Sequence, residues 1–179
     1  MIHLITGGSG SGKSAYAEDV VLKLGEKRRI YIATMHPFDN ESIIRIEKHR
    51  SMRKGKGFET MECYTHVERL KIPKDANVLL ECMSNLTANE MYEPEGAGKE
   101  TVECICRGVK ILAEQSENLV IVTNEIASDA QPYSAQTLKY IENLGYINRY
   151  LAQLADRVTE VVYGIPIVIK GAEDENHVE

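Results

Sequence analysis

The chain has 179 residues, of which 43% are hydrophobic and 27% charged, and it carries a formal charge of −6. This is an ordinary globular composition, outside the ranges of collagen-like, disulfide-scaffold and disordered chains. The net negative charge argues against non-specific binding to nucleic acid or to an anionic membrane.

The pattern along the chain is strand followed by helix, repeated, which predicts a mostly parallel sheet flanked by helices. A first strand at His3–Thr6 leads into a glycine-rich loop, and a helix is expected from Ser14 to Leu24, ending at Gly25. Arg29–Thr34 reads as a second strand. Asn40–Arg53 reads as a helix, capped by Asp39 or Asn40, with acids early and bases late as the helix dipole favours. Phe58–Glu62 is a short strand, and Asn77–Cys82 is a buried one with the near-continuous apolar run of a parallel interior strand. Helices at Met83–Met91 and Glu100–Ser116 flank a loop, Tyr92–Gly98, expected to be mobile. Asn118–Asn124 is another core strand, and Ser134–Asp156 a long amphipathic helix with a bend expected at Gly145. Val158–Tyr163 and Ile165–Lys170 are expected as two edge strands forming an antiparallel hairpin. The reading is one domain over residues 1–171, with an acidic, frayed tail at 172–179.

Met1 leads straight into an apolar strand, without the basic start and cleavage site of a signal peptide. No apolar run approaches the roughly 20 residues that span a bilayer. Cys63, Cys82, Cys104 and Cys106 lack metal-ligand spacing in the sequence and are expected as free thiols. A cytoplasmic protein is expected.

The strongest motif is Gly7-Gly8-Ser9-Gly10-Ser11-Gly12-Lys13-Ser14, which matches the phosphate-loop spacing G-x-x-x-x-G-K-S/T in full, after a strand and opening a helix. Glycines let backbone N–H groups turn inward around phosphate oxygens, and the helix start adds its positive dipole end. Lys13 can reach the β- and γ-phosphates, and Ser14 can ligate Mg²⁺. A partner carboxylate is expected at the end of a neighbouring strand. Glu81 supplies it, and Glu125 is a second candidate.

Charge is distributed unevenly. Residues 45–57 hold Arg45, Lys48, Arg50, Arg53, Lys54 and Lys56 against Glu47 alone, a local +5 in an acidic chain. His49 lies in this stretch, four residues from both Arg45 and Arg53, so the three share one helix face. The guanidinium groups would hold polyphosphate oxygens. An imidazole facing a bound triphosphate suits covalent catalysis through a phosphoramidate. Read from spacing alone, a surface histidine on a charged helix is the favoured reading of His49.

The combination of TGGSGSGKS at 6–14, YIAT at 31–34, RIEKHR at 45–50, TMEC at 60–63, LLEC at 79–82, VTNE at 122–125 and GIPIVIK at 164–170 appears in the order seen in one enzyme family. From residue 2 to about 170 the chain resembles the bifunctional adenosylcobinamide kinase/adenosylcobinamide-phosphate guanylyltransferase family of cobalamin biosynthesis. The resemblance implies a P-loop NTPase-like α/β fold and two reactions. A nucleoside triphosphate, ATP or GTP, phosphorylates adenosylcobinamide; GMP then passes from GTP, through a guanylylated histidine, to adenosylcobinamide phosphate. It further implies His49 as nucleophile and residues 7–14 as the phosphate cradle. Further nucleotide contacts are implied at Ala33, Thr34, Met35, Arg50, Ser51, Met52, Arg53, Glu62 and Glu81, with Ser14 and Glu81 at Mg²⁺. Glu62 or Glu81 would receive guanine N–H groups or ribose hydroxyls. A homotrimer is the assembly the resemblance implies.

Two stretches depart from the family pattern. Arg53-Lys54 stands where Arg-Pro is usual, and 126–132 lack two glycines of a Gly-rich loop. Both nucleotide motifs are intact, so guanylyl transfer is the better supported of the two activities. A single-function small-molecule kinase on the same fold, with no covalent nucleotide, is the competing enzyme reading. A nucleotide-gated switch protein is the non-enzymatic one.

Overall fold

A computed structural model describes residues 1–125 and 133–171. The departing loop at 126–132 and the expected tail at 172–179 lie outside the described residues. Seven strands form one sheet: β1 (Ile2–Thr6), β2 (Arg29–Ala33), β3 (Phe58–Glu62), β4 (Asn77–Glu81), β5 (Asn118–Val122), β6 (Arg157–Val162) and β7 (Ile165–Lys170). Their order is β3-β2-β4-β5-β1-β6-β7. All pairings are parallel except β6 with β7. The helices are α1 (Lys13–Lys23), α2 (Asn40–Arg53), α3 (Met83–Tyr92), α4 (Thr101–Gln115) and α5 (Ala135–Leu154).

Strand alternation divides the core into two layers. Leu4, Ile32, Val78, Leu80 and Ile121 pack on one face with residues of α3, α4 and α5. Ile5, Tyr31, Leu79, Val120 and Val122 pack on the other with Ala17 and Val21 of α1. All five residues of β4 are buried, which explains why its sequence reads as an apolar run rather than an alternation. Parallel register lines up the carboxyl ends, with Ala33 beside Glu81 and Glu81 beside Val122. Open α/β sheets present their ligand crevices at that edge.

Helix α2 has the predicted bounds. Its cap is Asp39: the carboxylate accepts from Ser42 N at 2.7 Å while Asp39 N donates to Ser42 Oγ at 3.0 Å, a reciprocal capping box. Only Arg53 of this helix is buried, so α2 does not pack through an apolar face.

Helix α5 runs unbroken through Gly145, from Ala135 to Leu154, with Leu144, Ile147 and Leu151 buried. Two expectations are corrected. Val158–Tyr163 was expected as an edge strand, yet β6 lies inside the sheet between β1 and β7, because its parallel register with β1 buries Val158, Thr159 and Val161. The Tyr92–Gly98 loop is tied down: Ala97 N donates to Glu90 Oε2 at 2.9 Å, and the Glu95 carbonyl lies 2.8 Å from His66 Nε2.

Candidate active site

The loop 7–12 bends around the start of α1 because two glycines occupy positions closed to other residues. Gly7 has φ +150°, and a Cβ there would stand 2.5 Å from the Val161 carbonyl oxygen. Gly12, the N-cap of α1, has φ +92°, in the left-handed half of backbone space. The β6–β7 turn braces the loop from outside, with Gly164 N donating to Ser11 O at 2.8 Å.

This loop forms one wall of a cleft of about 690 Å³ at the carboxyl ends of the strands. Ser9 through Ser14 line it from the loop, His49, Arg50, Met52 and Arg53 from α2, Ala33 and Met35 from the end of β2, and Glu62 and Glu81 from the ends of β3 and β4. Four residues expected at the nucleotide, and the second candidate carboxylate Glu125, do not line it. Gly7 is buried and Gly8 exposed; Gly7 O accepts from Glu125 N and Gly8 O from Lys13 Nζ. Thr34 is fully buried; its Oγ1 donates to Cys82 O at 2.9 Å and accepts from Cys82 N at 2.7 Å, joining β2 to β4. Ser51 faces a separate shallow depression with Gly55 and Phe58. Glu125 is exposed and borders another depression, with Asn148 and Arg149.

Glu81 is the hub of the cleft. Ser14 Oγ donates to its Oε1, and the Tyr31 hydroxyl donates to its Oε2 at 3.2 Å. His49 Nδ1 lies 3.6 Å from Oε1. Burial, reinforced by the Glu81 charge, pushes the Tyr31 phenol well above its ordinary range, so it remains a donor. The guanidinium of Arg53 stacks on the Tyr31 ring, 3.4 Å from its centroid. Tyr31 thus connects the carboxylate to the last base of α2. It opens the YIAT stretch at 31–34, yet no role was read for it there, since in the chain it reads as an ordinary strand residue.

Lys13 is 8% exposed. Burial lowers its amine from the usual lysine value, against the opposing influence of Cys82 and Glu81, and the amine bonds to Gly8 O at 2.9 Å. Ser11 Oγ and Arg53 Nη1 both belong to cleft residues and are buried without a hydrogen-bond partner among the described residues. Buried polar atoms in folded proteins are mostly satisfied. Two such atoms around one cleft are what a polar, anion-bearing ligand would complete. At the outer end Glu62 is engaged by Arg50 Nη2 at 2.9 Å and by the Tyr64 hydroxyl at 3.0 Å.

Residues 3–169 match the family model described as cobinamide kinase / cobinamide phosphate guanyltransferase. The chain belongs to this family. The bifunctional adenosylcobalamin biosynthesis protein CobU of Salmonella typhimurium is 31% identical, over 95% of this chain and the whole of that protein. CobP of Pseudomonas aeruginosa, a bifunctional adenosylcobalamin biosynthesis protein, is 28% identical over 96% of this chain and 98% of its own length. Solved structures add the fold alone. An ATPase domain superposes with a TM-score of 0.52 over 89% of this chain and 68% of its own, and a KaiC-like protein from Pyrococcus horikoshii OT3 with 0.51 over 99% and 83%, each at 12% identity. The family's architecture is therefore P-loop NTPase-like, with the antiparallel β6–β7 pair at one edge of a parallel sheet. No described helix is long and apolar enough to cross a membrane.

Proposed function

We propose that this chain, as one transferase domain over 1–171, phosphorylates adenosylcobinamide and then converts the phosphate to adenosylcobinamide-GDP through a guanylylated His49. Membership of the family supports the pair of reactions. The observation that carries the residue assignment is the approach of His49 Nδ1 to Glu81 Oε1, 3.6 Å away, in the cleft bounded by the phosphate loop.

In the kinase step the loop N–H groups and Lys13 hold the β- and γ-phosphates of ATP or GTP, Lys13 exchanging its bond to Gly8 O for phosphate oxygens. Ser14 and Glu81 offer adjacent hard oxygen donors and so fit Mg²⁺. That ion would supply charge neutralisation of the phosphates.

In the second step His49 attacks the α-phosphorus of GTP through Nε2. The N–P bond forms as the bond to the bridging oxygen breaks, and pyrophosphate leaves with that electron pair. Glu81, on the Nδ1 side, favours the tautomer that leaves the Nε2 lone pair free and stabilises the positive charge the ring acquires. Arg50 and Arg53 offset the charge gathering on the phosphate oxygens. An oxygen of adenosylcobinamide phosphate then displaces the imidazole from phosphorus, which returns the N–P electron pair to the ring. Because Glu81 is occupied at the phosphate end, Glu62 is our choice of carboxylate for guanine or ribose donors, which would exchange for its bonds from Arg50 and Tyr64.

A homotrimer is the assembly we propose from the family resemblance. It would cover the edge strand β7, where Ile165, Ile167 and Ile169 are exposed along one face; sedimentation analysis tests it. The function is tested by incubating the protein with GTP and adenosylcobinamide or its phosphate and measuring the GDP-linked corrinoid by mass. α-Labelled GTP should leave an acid-labile, base-stable label that His49→Ala loses. Labelling that persists in this variant would sink the covalent assignment, and γ-phosphate transfer without covalent label would favour a simple kinase.

A further inference from the structure

Beyond the nucleotide cleft, His66, Glu68 and Cys104 converge where a short turn, Val67–Arg69, packs on α4. Cys104 Sγ lies 3.7 Å from His66 Nδ1 and 3.7 Å from Glu68 Oε2. His66 Nδ1 is 2.9 Å from Glu68 Oε1. One donor atom from each residue lies within 4.8 Å of the other two. Around a tetrahedral Zn²⁺, with bonds of about 2.0 Å to nitrogen or oxygen and about 2.3 Å to sulfur, neighbouring donors stand about 3.5 Å apart. The two distances from Cys104 Sγ, to His66 Nδ1 and to Glu68 Oε2, are already close to that spacing.

Two further features fit a cation. The remote ring nitrogen of His66, Nε2, lies 2.8 Å from the Glu95 carbonyl oxygen, the arrangement by which proteins orient a metal-binding imidazole and leave Nδ1 for the ion. Glu90, completely buried, sets its Oε1 3.8 Å from the thiol while accepting from the backbone N–H groups of His66 and Ala97. A thiol among two carboxylates gains little from hydrogen bonds as long as these. It gains much if a divalent charge takes the place of its proton. His66 itself is held at φ +54°, a left-handed conformation uncommon for residues other than glycine, although histidine, like asparagine and aspartate, adopts it more often than most.

We propose that His66, Glu68 and Cys104 bind one soft divalent cation, with Zn²⁺ the best match to a nitrogen, oxygen and sulfur donor set. Glu90 Oε1 is placed for the fourth position. On binding, the thiol proton and any proton on Nδ1 pass to solvent. Positions 66, 68 and 104 form no recognisable ligand spacing, which is why only the fold exposes the cluster. Its role follows from what it would hold. The segment from Glu62 through Tyr64 to His66 leaves the outer wall of the nucleotide cleft, and the cation would fix it to α4.

The test uses the full chain, stripped with chelator and titrated with Co²⁺ as a spectroscopic probe. One Co²⁺ per chain is expected, with a thiolate-to-cobalt charge-transfer band that Zn²⁺ abolishes and millimolar Mg²⁺ does not. Cys104→Ser should lose the band and Cys106→Ser should keep it. His66→Asn, chosen because asparagine tolerates the left-handed backbone, should weaken binding at least about tenfold. Circular dichroism checks that each variant folds. Absence of the band in the parent chain, its survival in Cys104→Ser, its loss in Cys63→Ser alone, or unchanged cobalt affinity in His66→Asn would overturn the proposal. If Cys104→Ser does not fold, the His66→Asn result decides.

Discussion

His49 and Glu81 face one another across the cleft, imidazole Nδ1 3.6 Å from carboxylate Oε1, although 32 positions separate them in the sequence. The same carboxylate receives the hydroxyls of Ser14 and Tyr31. Phosphate-loop helix, sheet and histidine helix therefore meet on one side chain. Glu81→Gln keeps the shape and removes the charge. We expect loss of both γ-phosphate transfer and guanylyl labelling by about 10²–10³-fold, as when one preorganised electrostatic group is removed. Initial rates with radiolabelled nucleotide would measure it, and a loss confined to one reaction would show that Glu81 serves only that step.

Arg53 is the base of α2 whose placement is fixed by an aromatic ring, and its Nη1 has no hydrogen-bond partner among the described residues. Arg53→Lys replaces a planar fork with a point charge. Binding of the triphosphate should weaken about tenfold, which corresponds to about 1.4 kcal/mol. Titration calorimetry with GTP checks this, and unchanged affinity would remove Arg53 from the phosphate site.

Lys13 makes a pH-dependent contribution to stability. Burial lowers its folded-state value below the ordinary lysine value of 10.5. The unfolded chain therefore holds that proton more tightly, and stability linked to this group increases with pH between the depressed value and 10.5. Below that window the buried charge is a full cost. Lys13→Met should accordingly raise the melting temperature of the nucleotide-free protein while abolishing nucleotide binding. The stabilisation should shrink as pH rises through the window. Thermal melts at a series of pH values read both, and a constant difference would show that the charge is not the cause.

Glu18 on α1 is completely buried, with Lys56 Nζ 2.7 Å from its Oε2. Lys56 itself is 29% exposed. Removing one partner of a buried pair strands the other. Because Lys56 keeps some contact with water, Lys56→Met should destabilise by about 3 kcal/mol, the lower end for such pairs. Lys56→Met combined with Glu18→Leu should recover most of the loss. Urea denaturation of the two variants distinguishes a stranded carboxylate from a simple packing defect, which the double change would not repair.

Much of the molecule was legible in its residues. The phosphate loop, the bounds of α2 and the apolar run of β4 are local signals: glycine spacing, a capping box and continuous burial each act within a few positions. The +5 stretch around His49 was readable for the same reason, and Arg45, Lys48, Arg50 and Arg53 from it line the cleft. Strand order was not readable, since β6 enters beside β1 through pairing across more than 150 positions. Thr34 and Ser51 follow the motif but not the cleft. Thr34 is consumed in joining β2 to β4, and Ser51 sits on α2 facing the separate depression.

The sequence by itself thus determined the chemistry available: a phosphate-binding loop, a histidine among bases, and carboxylates at strand ends. These follow from residue type and near-neighbour geometry. Only the tertiary structure decided which groups act together. Glu81 became the shared partner of Ser14, Tyr31 and His49 because parallel register brings the end of β4 beside the phosphate loop and under α2. Cys104 met His66 and Glu68 because α4 packs on the turn after β3, a contact between segments with no common local pattern.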